Sequence, residues 1–189
     1  MVPAMGIPQV WGARPEELAA SYPCDGLLGP SSEPWMRAVT VRTDAPTVFR
    51  WLCQLKVAPY SYDLLDNFGR RSPVELTPGA EVLETGQRVM TIFELVEFEQ
   101  DRRLTLLLNT PWAVRAFGEF ALSYTLLPEG PDSTRLVVKM MVGRRPGVLG
   151  AVRMRAMAWG DLLMMRRQLY TLRDLAEGRG KRVKGRAGR

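Results

Sequence analysis

The stretch Ala151-Val-Arg-Met-Arg-Ala-Met-Ala-Trp-Gly-Asp-Leu-Leu-Met-Met-Arg-Arg-Gln-Leu-Tyr-Thr-Leu-Arg-Asp-Leu-Ala176 carries Ala151, Met154, Ala158, Leu162, Met165, Leu169, Leu172 and Ala176 at steps of three and four. At 3.6 residues per turn, those steps draw one apolar stripe down about seven turns of helix. Arg153, Arg155, Arg166, Arg167, Arg173 and Asp174 avoid the stripe, and Pro146-Gly147 precedes it. Trp159, Leu163 and Tyr170 also fall off it, so the other side of the helix is not purely polar. That side has three candidate partners: the N-terminal arm, a second subunit or a membrane. A helix of this length with one apolar face has to lay that face against another layer.

The segments upstream supply the layer. Val89 to Phe98, Leu104 to Asn109, Phe117 to Leu127 and Thr134 to Val142 are rich in Val, Ile, Leu, Phe, Tyr and Thr. Turn signals at Glu99-Gln-Asp-Arg102, Thr110-Pro111 and Pro128-Glu-Gly-Pro-Asp-Ser133 separate them, and connections this short make antiparallel neighbours. Further back, Trp35 to Arg42 reads as a first strand. Asp44 and Pro46 start a helix that places Val48, Phe49, Trp51, Leu52 and Leu55 at helical spacing and ends before Pro59. A second, brief helix follows, with Ser61 as cap, Asp63 in its first turn and Gly69 past its end. The order strand, two short helices, antiparallel meander and long C-terminal helix predicts an α+β domain in which a curved sheet wraps around the last helix. Any unfilled volume between them becomes a cavity.

Composition narrows the function classes. The chain has 189 residues, 46% of them hydrophobic, which suits one well-filled core. Its net charge of +6 is local. Arg179, Lys181, Arg182, Lys184, Arg186 and Arg189 follow Gly178 with no acid among them, and removing those six from 26 basic residues leaves 20, matching the 20 acidic ones. The basic excess is therefore a property of a tail and not of a binding face. Such a tail can touch anionic membrane or nucleic acid weakly and without sequence preference. Histidine is absent and only Cys24 and Cys53 are present, which argues against a transition-metal site, a disulfide framework and Ser-His-Asp or Cys-His catalysis. Arg14, Glu16 and Glu17 interrupt the N-terminal region where a secretory signal needs an apolar run, so a soluble, cytoplasmic protein with reduced thiols is expected. Three parts follow: an arm over 1–33, with a short helix opened by Pro15, Glu16 and Glu17; a ligand-binding domain over 34–177; and a disordered basic tail over 178–189.

The element order, with Trp35-Met-Arg-Ala-Val-Thr-Val41, Asp44-Ala-Pro-Thr-Val-Phe-Arg-Trp51, Gly86-Gln-Arg-Val-Met90 and the terminal helix, resembles the START and birch-pollen-allergen superfamily, often labelled SRPBCC. Within it the chain is similar to actinobacterial polyketide cyclase/dehydrase and lipid-transport proteins. The resemblance covers Trp35 to Glu177. It implies a helix-grip fold, a cavity that takes a lipid, hormone or polyketide, no cofactor, and in some members cyclisation or dehydration of what is bound. It carries no universal catalytic residue with it.

The candidate site residues come from the chain itself. Ala58-Pro-Tyr-Ser-Tyr-Asp-Leu-Leu-Asp-Asn-Phe-Gly-Arg-Arg-Ser-Pro73 packs two tyrosines and two aspartates into a short helix-bearing connection. Asp63 and Asp66 lie three apart and Tyr62 four from Asp66, so they share a helix face. A desolvated carboxyl there could act as general acid while Tyr60 or Tyr62 holds a carbonyl or enolate oxygen. The structural alternative is that Asp63 favours the helix start, Asp66 pairs with Arg70 or Arg71, and Tyr60 seals the core. Arg88 and Asn109 are polar residues in strands, where alternate side chains face either solvent or the cavity. Met90, Met140, Met154 and Met165 belong to a set of flexible apolar side chains on the elements that enclose the cavity; they fit an adaptable pocket as well as ordinary packing. Three function classes result: binding of an apolar or amphipathic small molecule; a cofactor-independent cyclase or dehydratase; and a scaffold or interaction protein without a usable cavity. A homodimer is compatible with each.

Overall fold

The computed structural model describes residues 6–61, 71–144 and 146–179. Chain order gives β1 (Val10–Trp11), α1 (Pro15–Ala19), a 3-10 turn (Pro23–Gly26), β2 (Ser32–Val41) and α2 (Ala45–Cys53). It continues with β3 (Arg88–Val89), β4 (Phe93–Glu99), β5 (Arg103–Leu108), α3 (Pro111–Phe117), β6 (Phe120–Gly130), β7 (Ser133–Gly143) and α4 (Gly147–Ala176). The seven strands form one sheet in the order β1-β2-β7-β6-β5-β4-β3. Every pairing is antiparallel except β1 with β2.

Local chemistry explains most boundaries. Asp44 caps α2 by accepting from the Thr47 amide at 3.0 Å. α4 begins at Gly147, four residues before the first residue of the apolar stripe, with Gly147 itself at φ +83°. Two stretches depart from the sequence reading. The run Val89 to Phe98 is broken into β3 and β4 because Met90 and Thr91 take left-handed backbone (φ 48° and 68°). The segment expected to hold only a turn at Thr110-Pro111 before a strand from Phe117 instead forms α3, with Pro111 in its first turn, and the strand begins at Phe120.

Strand alternation sorts the side chains into two layers. Trp35, Val39 and Val41 of β2, Leu122, Tyr124 and Leu126 of β6, and Leu136, Val138, Met140 and Val142 of β7 face the concave side. There they meet Val48, Phe49 and Leu52 of α2 and Met154, Ala158, Met165, Leu169 and Leu172 of α4. α4 packs on β2 and α2, and its far end is tied down where the Arg42 amide donates to Glu177 Oε1 at 2.8 Å. A long helix gripped by a bent antiparallel sheet, with α2 following the first long strand, is the helix-grip architecture.

The convex side is covered as well, by the N-terminal arm. Tyr22 and Cys24 pack with Met36, Ala38, Ala121 and Val137 in a second core. Arg135 grips Glu17 with two hydrogen bonds, Nε to Oε1 at 2.6 Å and Nη2 to Oε2 at 3.0 Å, and Lys139 pairs with Asp25 at 2.7 Å. Gly12 lets β1 lie close on β2: with φ +74°, a Cβ there would stand 2.3 Å from the Ala38 carbonyl oxygen.

Candidate functional site

The core inside the grip is apolar, with polar groups breaking it at two places. Arg37 sits in β2 at the same inward parity as Trp35 and Val39, and its side chain is 0% exposed. Its Nη2 donates to Asp161 Oδ2 of α4 at 2.7 Å, and its Nη1 donates to the carbonyls of Gln9 and Met36. Two turns further along α4, Gln168 accepts from the Tyr124 hydroxyl at 2.7 Å. Its Nε2 donates to the Pro59 carbonyl at 2.7 Å and approaches Met90 Sδ at 3.4 Å. Asp161 and Gln168 share a helix face because seven residues make almost two turns.

Burial sets the electrostatics. Desolvation pushes the Asp161 carboxyl up to about 6, against the pull of the Arg37 guanidinium, and lowers the pKa of Arg37 in turn. The Tyr124 hydroxyl is also raised, first by burial and then by the nearby Asp161 charge, against the pull of its bond to Gln168. Both tyrosine and carboxyl therefore favour their neutral forms more than they would in water. The interior therefore holds a phenol, a primary amide and a guanidinium–carboxylate pair set in hydrocarbon.

The residues singled out from the sequence fall in different places. Tyr60 is buried at the end of the connection after α2, in left-handed backbone (φ 56°), with its ring edge-on to Trp51 at 6.3 Å. Met140, Met154 and Met165 are buried in the concave core, and Met90 packs against it. Arg88 and Asn109 are exposed, and Asn109 donates to Glu94 Oε2. Tyr62, Asp63 and Asp66 lie outside the described residues. Among the described residues, no group of three or more Cys, Asp and Glu is placed to hold a metal ion.

The sequence reading does not single out Arg37, Asp161, Tyr124 or Gln168. The signals were present: Arg37 is a charge at the centre of an apolar strand, and Gln168 stands three residues from Met165 and four from Leu172 on the buried stripe.

No family model and no curated protein matches the chain. Solved structures do. Protein MLL2253 from Mesorhizobium loti is 15% identical, with a TM-score of 0.51 over 77% of this chain and 98% of that one. A protein from Thermobifida fusca is 14% identical, with a TM-score of 0.50 over 77% of this chain and 94% of that one. A START superfamily protein from Mycobacterium smegmatis is 16% identical, with a TM-score of 0.44 over 79% of this chain and 98% of that one. At these identities the first two likenesses concern the fold alone, and they agree with the helix-grip topology described above.

Proposed function

We propose that this protein binds an apolar or amphipathic small molecule, of lipid or polyketide type, between the concave face of the sheet and α4. One observation supports the reading most: an interior walled by Met140, Met154 and Met165 is broken by polar groups that can orient a ligand, Tyr124 with Gln168 and Arg37 with Asp161. Unbranched thioether side chains repack around ligands of different shape, and a few placed polar groups then fix orientation. Arg88 and Asn109, being exposed, would act at most at the rim.

Native mass spectrometry of freshly purified protein, with solvent extraction and titration of oleate and emodin, tests this. A retained or titratable apolar molecule is the expected result. A protein that neither retains nor takes up any such molecule is a scaffold, and the binding reading is then wrong.

A second reading keeps catalysis on the Tyr60–Asp66 segment. Its support is the position of Tyr60, buried against Trp51 at the edge of the same interior, which starts the segment carrying Tyr62, Asp63 and Asp66 from that wall. Aldol cyclisation or dehydration of a bound carbonyl compound is the chemistry these groups can serve, since proton removal beside a carbonyl needs a placed base and an oxyanion partner. Once a substrate is in hand, Asp63→Asn and Asp66→Asn should lower turnover with binding retained; unchanged turnover in both returns the segment to a structural role.

A further inference from the structure

The outward side of α4 carries a second apolar strip. Leu149, Val152, Ala156, Trp159 and Leu163 follow one another at steps of three and four, opposite Met154, Ala158 and Met165. All five are exposed, Leu149 to 83% and Leu163 to 57%. The strip runs about 21 Å along the helix at 1.5 Å per residue. Beside its first turns lies α3, where Trp112 and Phe117 are exposed with their rings edge to face, and Arg153 of α4 donates to the Ala116 carbonyl. Exposed apolar residues on two helices joined by this bond imply a partner.

The surrounding charges identify that partner. By helical angle Arg155 and Arg153 flank the strip on its two sides and Arg166 and Arg167 follow its far end, Arg166 lying over the rings of Trp11 and Tyr170; Arg144, just before the helix, pairs with Glu33 at 3.2 Å. The only acid of α4 before Asp174 is Asp161, and Arg37 holds it on the inner side. At the near end the acids are Glu33, which pairs with Arg144, and Glu119, just past α3. A second copy packed strip to strip would bring Arg153 and Arg155 of the two copies together, with no acid on the outer face of α4 between them. The tail from Gly178 to Arg189 holds Val183 as its one large apolar residue and has the same charge, so it does not match the strip. An apolar ridge bearing a tryptophan and bordered by arginines matches a bilayer interface with anionic headgroups.

We propose that the outer face of α4, together with α3, docks on an anionic phospholipid bilayer, with Val152, Trp159 and Leu163 seated at the acyl boundary and the flanking arginines on lipid phosphates. α4 lies in the interface plane: among the described residues, no helix is long and apolar enough to cross a membrane. The docking surface is separate from the interior ligand site and stands without it.

The test is flotation of the full chain with vesicles of phosphatidylcholine alone and of phosphatidylcholine mixed with phosphatidylglycerol. Binding is expected on the mixed vesicles, weaker on the neutral ones, and should fall as salt is raised. The double variant Val152→Ser/Leu163→Ser alters exposed positions only and should keep the wild-type melting temperature while binding at least about tenfold more weakly. Three results would overturn the proposal: no binding to mixed vesicles; undiminished binding of the double variant, which assigns the membrane contact to the basic tail; or a wild-type dimer by light scattering that the double variant converts to monomer, which assigns the strip to a second copy.

Discussion

Arg37 of β2 and Asp161 of α4 meet at 2.7 Å across the seam between the sheet and the helix it grips, with the arginine side chain fully buried and the aspartate 18% exposed. Removing one partner of such a pair costs more than the pair itself contributes, because a buried charge is left behind. Asp161→Ala should therefore destabilise the protein by about 3 kcal/mol in urea unfolding. The double variant Arg37→Met/Asp161→Leu should recover more than half of that loss. Equal loss in both would mean that the pair acts through packing and not through charge.

The Tyr124–Gln168–Pro59 chain makes a graded prediction. Tyr124→Phe leaves Gln168 Oε1 without its donor and should cost about 1 kcal/mol; Gln168→Leu strands both the Tyr124 hydroxyl and the Pro59 carbonyl and should cost about twice as much. Chemical denaturation of the two variants side by side checks the order.

Docking of the arm depends on the Glu17 charge. Burial raises the Glu17 pKa, but the Arg135 bond, the Arg14 amide and the two arginine charges outweigh it, so the folded-state value lies below the ordinary 4.5. A depressed carboxylate stabilises the fold above its unfolded pKa, and that stability is lost as pH falls through the folded value. Melting temperature should accordingly drop as pH falls below 4.5, and Glu17→Gln should flatten that part of the profile. At neutral pH, with Cys53→Ser as background, Glu17→Gln should also speed labelling of the buried Cys24 by about tenfold through local opening of the arm. Unchanged labelling would show that the arm is held without this pair.

Gly12→Ala tests the same layer by sterics. The added Cβ would meet the Ala38 carbonyl oxygen in a backbone region that L side chains rarely adopt, so a loss of about 2 kcal/mol or more is expected from thermal unfolding.

The grip was legible in the sequence because its signals are periodic. Met154, Ala158, Leu162, Met165, Leu169 and Leu172 are buried, as their spacing requires, while the end members of the stripe, Ala151 and Ala176, are exposed and half-buried because they lie at the helix ends; the α2 helix follows its Asp44 cap. What escaped was long-range or aperiodic. The convex layer depends on Glu17 meeting Arg135, 118 positions away, and on a two-residue strand, neither of which leaves a pattern in the chain. α3 is too short to show a period, and Trp-Ala-Val-Arg-Ala-Phe117 suits a strand as well as a helix by composition. Of the three partners open to the off-stripe side of α4, Tyr170 meets the arm: it packs edge-on against Trp11 at 5.4 Å. The polar candidates of the sequence cluster after α2 and at Arg88 and Asn109, whereas Arg37, Tyr124, Asp161 and Gln168 stand on strands and a helix amid apolar neighbours that mask them.

Methyl-labelled methionine NMR tests the central claim most directly, because the methionines divide by layer. Met140, Met154 and Met165 belong to the concave core, Met36 and Met141 to the convex one, and Met164 is exposed. On titration with oleate or emodin, the account predicts saturable shifts at Met140, Met154 and Met165, with Met36, Met141 and Met164 unmoved. Shifts confined to Met36, Met141 or Met164, or none at saturating probe, would contradict ligand binding inside the grip.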